Sequence, residues 1–177
     1  MKKIQNFLPV CFAFFGLFFF SDFICLGQPG MVFDFQKISD TEGNFSGYLD
    51  NVDAFNRSAN IGDLDNDGIN DIAVGAFWDD DGGTNKGAVW ILFLNENRTV
   101  KNYQKISDIQ GNFTGFLTFD AAFGYSVTGI GDLNGDNIED IVVGAPYSSG
   151  NGGEIWVLFL NSDNTVNSHI YINEGVN

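Results

Sequence analysis

Side chains that most catalytic and zinc sites depend on are scarce in this chain, which has two cysteines and one histidine among 177 residues. Both cysteines, Cys11 and Cys25, lie in the apolar N-terminal segment, so the remainder has no thiol for a disulfide, a nucleophile or a metal. The one histidine, His169, lies in the last predicted strand, and no carboxylates are paired around a predicted cleft. We therefore expect no enzymatic activity.

Basic residues are also few. Eight lysines and arginines stand against 23 aspartates and glutamates, which gives a formal net charge of −15. A chain of this balance would repel a phosphate backbone, which excludes nucleic acid as an expected partner. An acidic, solvated surface accounts for most of the excess charge.

Residues 1–27 have the composition of a secretory signal peptide. Lys2 and Lys3 form a charged start, an apolar run follows over residues 7–20, and Cys25 and Gly27 are the small residues that a signal peptidase reads. We expect cleavage near Gly27 and a secreted or cell-surface protein without a membrane span in its mature chain.

Two alternatives remain open for this segment. A single membrane span would need a longer apolar run, and Asp22 interrupts the end of this one. Lipid attachment at Cys25 is also conceivable, although the bulky Ile24 directly before it fits a lipoprotein signal poorly.

Two short segments carry most of the chemical information, DLDNDGIND at residues 63–71 and DLNGDNIED at residues 132–140. In the first, oxygen-bearing side chains occupy positions 1, 3, 5 and 9, and Gly68 at position 6 allows a sharp turn. Carboxylates held this close repel one another unless a cation lies among them, and oxygen ligands without His or Cys favour Ca²⁺ over zinc. We predict two Ca²⁺ sites, of which the second is weaker because it has one fewer carboxylate. The predicted side-chain ligands are Asp63, Asp65, Asp67 and Asp71 in the first loop and Asp132, Asn134, Asp136 and Asp140 in the second, with the backbone carbonyls of Ile69 and Ile138.

An EF-hand is the motif most easily confused with these loops. Its loop closes with a glutamate at position 12 and lies between helices. Position 12 is Val74 in the first segment and Val143 in the second, and both lie in β-branched, glycine-bounded runs that predict strands. An EF-hand is therefore excluded.

The chain contains an internal repeat of about 68 residues. QKIS begins at Gln36 and Gln104, VGA begins at Val74 and Val143, and a tryptophan followed by LFLN recurs at residues 90 and 156. The predicted strands span residues 58–62, 71–76, 88–95 and 100–106 in the first repeat and 126–131, 140–145, 154–161 and 166–172 in the second. A further leading strand is predicted at residues 33–38, and no helix is predicted after the signal segment.

These repeats resemble FG-GAP repeats, the units of the integrin alpha-subunit β-propeller. The second copy carries the whole signature, namely Phe123-Gly124, Ser126-Val127, Gly131-Asp132, the aspartate loop and Gly144-Ala145-Pro146. The first copy departs from it, since Asn56 replaces the glycine and Phe77 replaces the proline. We divide the chain into a signal peptide (1–27), a leading strand and connection (28–57), a first blade with its link (58–125), and a second blade with the truncated start of another unit (126–177).

The resemblance implies an all-β protein made of two four-stranded antiparallel blades of an incomplete propeller, with structural Ca²⁺ between the first two strands of each blade. It also implies adhesion or another extracellular recognition of a protein or glycan. Closed propellers have about four to eight blades, so further blades or self-association would be needed to close the fold. Two alternatives are an accessory, non-catalytic propeller in a larger secreted hydrolase and a purely structural surface repeat.

Strand alternation places a second group of residues at the end of the blades opposite the cation loops. Exposed aromatic side chains beside acids are reasonable contacts for a protein or glycan. Packing of the phenylalanines and Tyr48 between the blades, and a solvated loop at residues 79–81, are the favoured alternatives. This group comprises Phe45, Tyr48, Trp78, Asp79, Asp80, Asp81, Phe113, Phe116 and Tyr147.

Overall fold

Eight strands form two antiparallel sheets of four strands each, and within each sheet the strands lie in chain order. The computed structural model describes Val32 and residues 34–173, so the predicted signal peptide, with Cys11 and Cys25, and the last four residues lie outside the described part. The first sheet comprises β1 (Phe55–Asn60), β2 (Ile72–Ala76), β3 (Ala88–Leu94) and β4 (Val100–Ser107). The second comprises β5 (Ser126–Gly131), β6 (Asp140–Ala145), β7 (Glu154–Leu160) and β8 (Val166–Asn173), with a single helical turn, α1 (Ser148–Asn151), between β6 and β7. The all-β architecture of two four-stranded blades is confirmed.

The core lies on both faces of the first sheet. Successive side chains of a strand point to opposite faces, and β3 reads AVWILFL, so it supplies apolar side chains to both. Val89 and Ile91 belong to one buried cluster with Leu158 of the second sheet. Trp90 and Leu92 belong to the cluster on the other face. The second sheet therefore covers one face of the first.

The link before each sheet folds back onto that sheet's central tryptophan. The ring centroid of Phe45 lies 5.2 Å from that of Trp90, and the centroid of Phe113 lies 5.1 Å from that of Trp156. Both phenylalanines are buried. Phe113 lies in the cluster that the two sheets share, as the packing alternative predicted, whereas Phe45 packs on the other face of the first sheet and not between the two sheets. Tyr48 and Phe116 do not pack in this way, because the same links turn them outward and leave them largely exposed.

Three details of the predicted secondary structure are wrong. The first strand begins at Phe55 and not at residue 58, and the described residues 34–38 form no strand, because they pair with no neighbouring strand. Instead, Ser39 and Glu42 bridge one another in a turn. The helical turn α1 was not predicted because four residues are too few to show helical periodicity.

Asp79 and Asp81 are held by a buried lysine, so the prediction of a merely solvated loop is wrong. Lys105 Nζ lies 2.6 Å from Asp79 Oδ2, 2.8 Å from Asp81 Oδ2 and 5.0 Å from the centroid of the Trp90 ring. Burial alone would lower the pKa of Lys105, but the two carboxylates outweigh it and raise that pKa. The loop between β2 and β3 is thereby attached to β4.

Candidate metal centre

The first aspartate loop connects β1 to β2 and brings three predicted ligands together. One carboxylate oxygen from each of Asp63, Asp65 and Asp71 lies within 4.8 Å of the others. The ladder between the two strands continues to the base of the loop, since Ile61 N donates to Asp71 O at 3.1 Å and Asp71 N donates to Gly62 O at 2.6 Å. The ends of the loop are therefore fixed by the sheet.

Asp71 anchors this loop to the next strand. Its side chain is fully buried, with Oδ2 accepting the N–H of Leu64 at 2.9 Å and Oδ1 accepting the N–H of Leu94 at 3.0 Å. Burial raises the pKa of Asp71 although both amides oppose the shift, and the nearby carboxylates of Asp65 and Asp67 raise it further. A positive charge beside Asp71 would relieve this unfavourable burial of negative charge.

Asp63 organises the turn itself. Its Oδ1 accepts the N–H of Asp67 at 3.0 Å and its Oδ2 accepts the N–H of Gly68 at 2.8 Å. Gly68 has φ 88°, and a Cβ there would meet nothing within 4 Å. Glycine is therefore favoured at this position by the left-handed backbone conformation and not by a lack of space for a side chain. Ile69, at position 7, donates its N–H to Asp67 Oδ1 at 2.9 Å. The oxygens of Asp63 and Oδ1 of Asp67 each accept one of these N–H groups, so each retains a second lone pair that could bind a cation.

Lys101, which the sequence analysis did not identify, belongs to this site. Its Nζ lies 2.6 Å from Asp65 Oδ2 and also contacts Asp67 Oδ2. Hydrogen bonds to the two carboxylates raise the pKa of Lys101, and its ammonium lowers the pKa of Asp67. The loop thus already accommodates one positive charge between its carboxylates, and its all-oxygen donor set suits a hard divalent cation.

The second loop, between β5 and β6, repeats the anchoring but not the full cluster. Asp140 is buried, and its two oxygens accept the N–H groups of Leu133 at 3.0 Å and Leu160 at 3.2 Å. Asp132 Oδ2 accepts the N–H of Asn137 at 2.8 Å, and Asn137 takes the place of Gly68 with φ 67°.

Two further predicted ligands of the second loop bind each other. Asn134 Nδ2 donates to Asp136 Oδ2 at 2.9 Å, and Asp136 Oδ1 accepts the N–H of Ile138 at 2.9 Å. Among the described residues, a compact group of three acidic side chains occurs only in the first loop. The second loop therefore has the amide of Asn134 where the first has the carboxylate of Asp65, so it presents less negative charge to a cation.

Within the described residues, no helix is long and apolar enough to cross a membrane.

Comparison with known proteins identifies the repeats. The family described as FG-GAP repeat matches residues 55–92 and 123–158. The chain is 40% identical over 88 residues to integrin alpha-2 of Mus musculus, an overlap that covers 49% of this chain and 7% of that protein. It is 38% identical over 96 residues to integrin alpha-6 of Homo sapiens, covering 53% of this chain and 8% of that protein. Integrin alpha-6 of Gallus gallus is 34% identical over 116 residues, which cover 65% of this chain and 10% of that protein. The chain therefore spans a tenth or less of the length of these relatives.

Proposed function

Because the chain carries two FG-GAP repeats that are related in sequence to integrin alpha subunits, we propose that it is a calcium-stabilised β-propeller module of a secreted or cell-surface protein. The observation that carries this proposal is the group of Asp63, Asp65 and Asp71 oxygens within 4.8 Å of one another, at a turn between adjacent strands. A bound Ca²⁺ supplies the positive charge that offsets the repulsion among these carboxylates.

The role of the cation is structural. Asp71 accepts amides from its own loop and from Leu94 of β3, so an ion held by Asp63, Asp65 and Asp71 would join the β1–β2 turn to a third strand. Asp140 makes the equivalent pair of bonds in the second sheet. Extracellular calcium modules typically have dissociation constants of about 10⁻⁴ to 10⁻³ M, which suits the secreted location that residues 1–27 imply.

Recognition of an extracellular protein or glycan is assigned to the end of the blades opposite the cation loops. Trp78 and Tyr147 are about half exposed there. Arg57 lies over the ring of Tyr125, with its Cζ 4.9 Å from the centroid, and the rings of Tyr125 and Tyr147 are in edge contact. Aromatic side chains and arginine are the residue types that concentrate binding energy in interfaces. Further blades would be needed to complete the propeller.

Calcium is expected to raise the thermal stability of the chain. A ligand at 100 times its dissociation constant stabilises the folded state by about 2.7 kcal/mol per site. We expect Asp65→Ala and Asp136→Ala each to remove the calcium-dependent stabilisation that comes from one site. Asp40 is an exposed acid outside the loops, so Asp40→Ala should leave the calcium-dependent stabilisation unchanged. Thermal unfolding followed across a calcium titration measures the effect. An unfolding temperature of the wild-type chain that does not change with calcium concentration would contradict the proposal.

Lys101 is expected to compete with calcium in the first loop. Binding the ion requires the lysine to leave two carboxylates, and partly exposed ion pairs are each worth up to about 1 kcal/mol. Lys101→Met should therefore tighten calcium binding at the first loop about fivefold to tenfold. Asn167 holds the corresponding position at the start of β8, so Asn167→Met is the matched control and should change little. Calorimetric titration measures both variants, and unchanged or weaker binding by Lys101→Met would show that the lysine does not compete.

A further inference from the structure

The second aspartate loop contains a pair of residues that the first loop lacks. Its position 3 is Asn134, which is followed by Gly135, whereas the first loop has Asp65 followed by Asn66. An asparagine that precedes glycine readily loses its side-chain amide, because glycine has no Cβ to hinder attack of its backbone nitrogen on the asparagine Cγ. The second loop therefore combines a candidate cation ligand with a reactive amide.

The surroundings of Asn134 leave room for this reaction. Asn134 and Gly135 are both exposed, and a Cβ on Gly135 would meet nothing within 4 Å. Asn134 Oδ1 accepts the N–H of Asp136 at 2.9 Å, which folds the side-chain amide toward the residues that follow it and so toward the Gly135 nitrogen. Water can therefore reach the amide, and no neighbouring atom blocks the ring that would form.

One hydrogen bond of the loop opposes the reaction. The N–H of Gly135 donates to Asp132 Oδ1 at 2.7 Å, and the nitrogen must leave this acceptor before it can attack. Asp132 and Asp136 carry like charges in the same turn, and their repulsion favours rearrangement of the loop when no cation lies between them. A cation held by these carboxylates would keep the Gly135 N–H on Asp132 and fix the Asn134 side chain.

We propose that Asn134 is a deamidation site that a bound calcium ion protects. In the loop without a cation, Gly135 N forms a bond to Asn134 Cγ, and its proton passes through solvent to Nδ2, which leaves as ammonia. Water then opens the cyclic imide at one of its two carbonyl groups. One water is consumed, one ammonia is released and no oxidant is needed. This inference rests on the part of the proposed function that assigns a cation to the second loop.

The two products of ring opening differ in their effect on the loop. Opening at the side-chain carbonyl gives an aspartate at position 134, and the second loop then has carboxylates at the same four positions as the first. Opening at the backbone carbonyl gives an isoaspartate, whose main chain is longer by one methylene, so its carboxylate is displaced from position 3. We expect the first product to bind calcium more tightly than the unmodified loop, and the second product more weakly.

Incubation of the whole chain near neutral pH, in calcium or in a chelator, tests this inference. Peptide mass spectrometry detects the replacement of NH₂ by OH at Asn134 and at the other Asn-Gly pair of the sequence, Asn151-Gly152, which lies outside both loops. If only the cation-free loop reacts, calcium at about ten times its dissociation constant should slow deamidation of Asn134 about tenfold. The rate at Asn151 should be the same in calcium and in chelator.

Two variants separate the reaction from its consequence. Gly135→Asn is the matched control, because Asn66 holds this position in the first loop with φ 58°, close to the 84° of Gly135. It removes the Asn-Gly pair and retains every predicted ligand, so it should bind calcium normally and keep Asn134 intact in chelator. Asn134→Asp reproduces the first product and should tighten calcium binding at the second loop about fivefold to tenfold in a calorimetric titration.

Each possible result decides one part of the inference. An Asn134 that stays intact in chelator, although it deamidates in the urea-unfolded chain, would overturn the modification site. Calcium binding without slower deamidation at Asn134, or with equal slowing at Asn151, would overturn local protection by the cation. Unchanged or weaker calcium binding by Asn134→Asp would overturn the effect assigned to the first product. Absence of calcium binding at either loop would overturn the proposed function and the protection with it, and calorimetry of the wild-type chain distinguishes that failure from the others.

Discussion

Replacing Phe123 by alanine is expected to lower the free energy of unfolding by about 3–5 kcal/mol, the usual range for a fully buried phenylalanine. Phe123 is 0% exposed, stacks on Phe113 with centroids 5.1 Å apart, and lies between the two sheets. Its removal would leave a cavity in the cluster that both sheets share, where the backbone of Gly87 lies directly against that of Phe123.

Phe55 supplies the matched control, because it holds the same position in the first repeat. It also stacks on its link phenylalanine, Phe45, with centroids 5.4 Å apart, but within the described part of the chain no preceding sheet covers it and it is only partly buried. We expect Phe55→Ala to cost about half as much as Phe123→Ala, or less. Urea-induced unfolding measures both variants. Equal costs would mean that contact between the sheets contributes nothing to stability.

Asp71→Asn is expected to destabilise the chain by about 1–3 kcal/mol even without calcium. The two carboxylate oxygens of Asp71 accept N–H groups from opposite sides, Leu64 at 2.9 Å and Leu94 at 3.0 Å. An asparagine keeps one acceptor and turns an NH₂ group toward the other amide, which is then buried without a partner. Asp140→Asn removes the equivalent pair of bonds at Leu133 and Leu160 and should behave alike.

Asp65→Asn separates this anchoring role from cation binding. Asp65 is exposed and contacts Lys101, so we expect a small effect in a chelator and a large loss of calcium-dependent stabilisation. Unfolding of the variants in calcium and in chelator measures both contributions. If Asp71→Asn and Asp65→Asn were indistinguishable in chelator, the anchoring role of Asp71 would be wrong.

The repeat made most of the fold predictable from sequence. The β-branched run that follows each aspartate loop predicts β2 and β6, and the LFLN run of each repeat predicts β3 and β7 at corresponding positions. The start of β1 at Phe55 was not predicted, because Asn56 replaces the glycine of the Phe-Gly signature that is present at the corresponding position of the second repeat. Asp63, Asp65 and Asp71 were identifiable because their contacts are local to one turn.

Features that depend on contacts between distant strands were not predictable. Lys101 contacts Asp65 because the start of β4 pairs with the end of β3, and the end of β3 is hydrogen-bonded to Asp71 of the loop. The spacing of these residues in the sequence does not predict this arrangement. Lys105 reaches Asp79 in a similar way, from β4 to the loop after β2. Ile155 has the same β-branched apolar character as Val89, and only the position of the next sheet decides that one is exposed and the other buried.

The central claim is that both aspartate loops bind a divalent cation, and amide NMR of three glycines tests it most directly. Gly68 donates its N–H to Asp63 Oδ2, and Gly135 donates its N–H to Asp132 Oδ1 at 2.7 Å, so an ion on those carboxylates must perturb both amides. Gly150, exposed in the turn α1, serves as the internal control. We predict that calcium shifts the resonances of Gly68 and Gly135 over the concentration range in which it stabilises the chain, and leaves that of Gly150 in place. Resonances of Gly68 and Gly135 that stay unchanged through the whole titration would contradict the account.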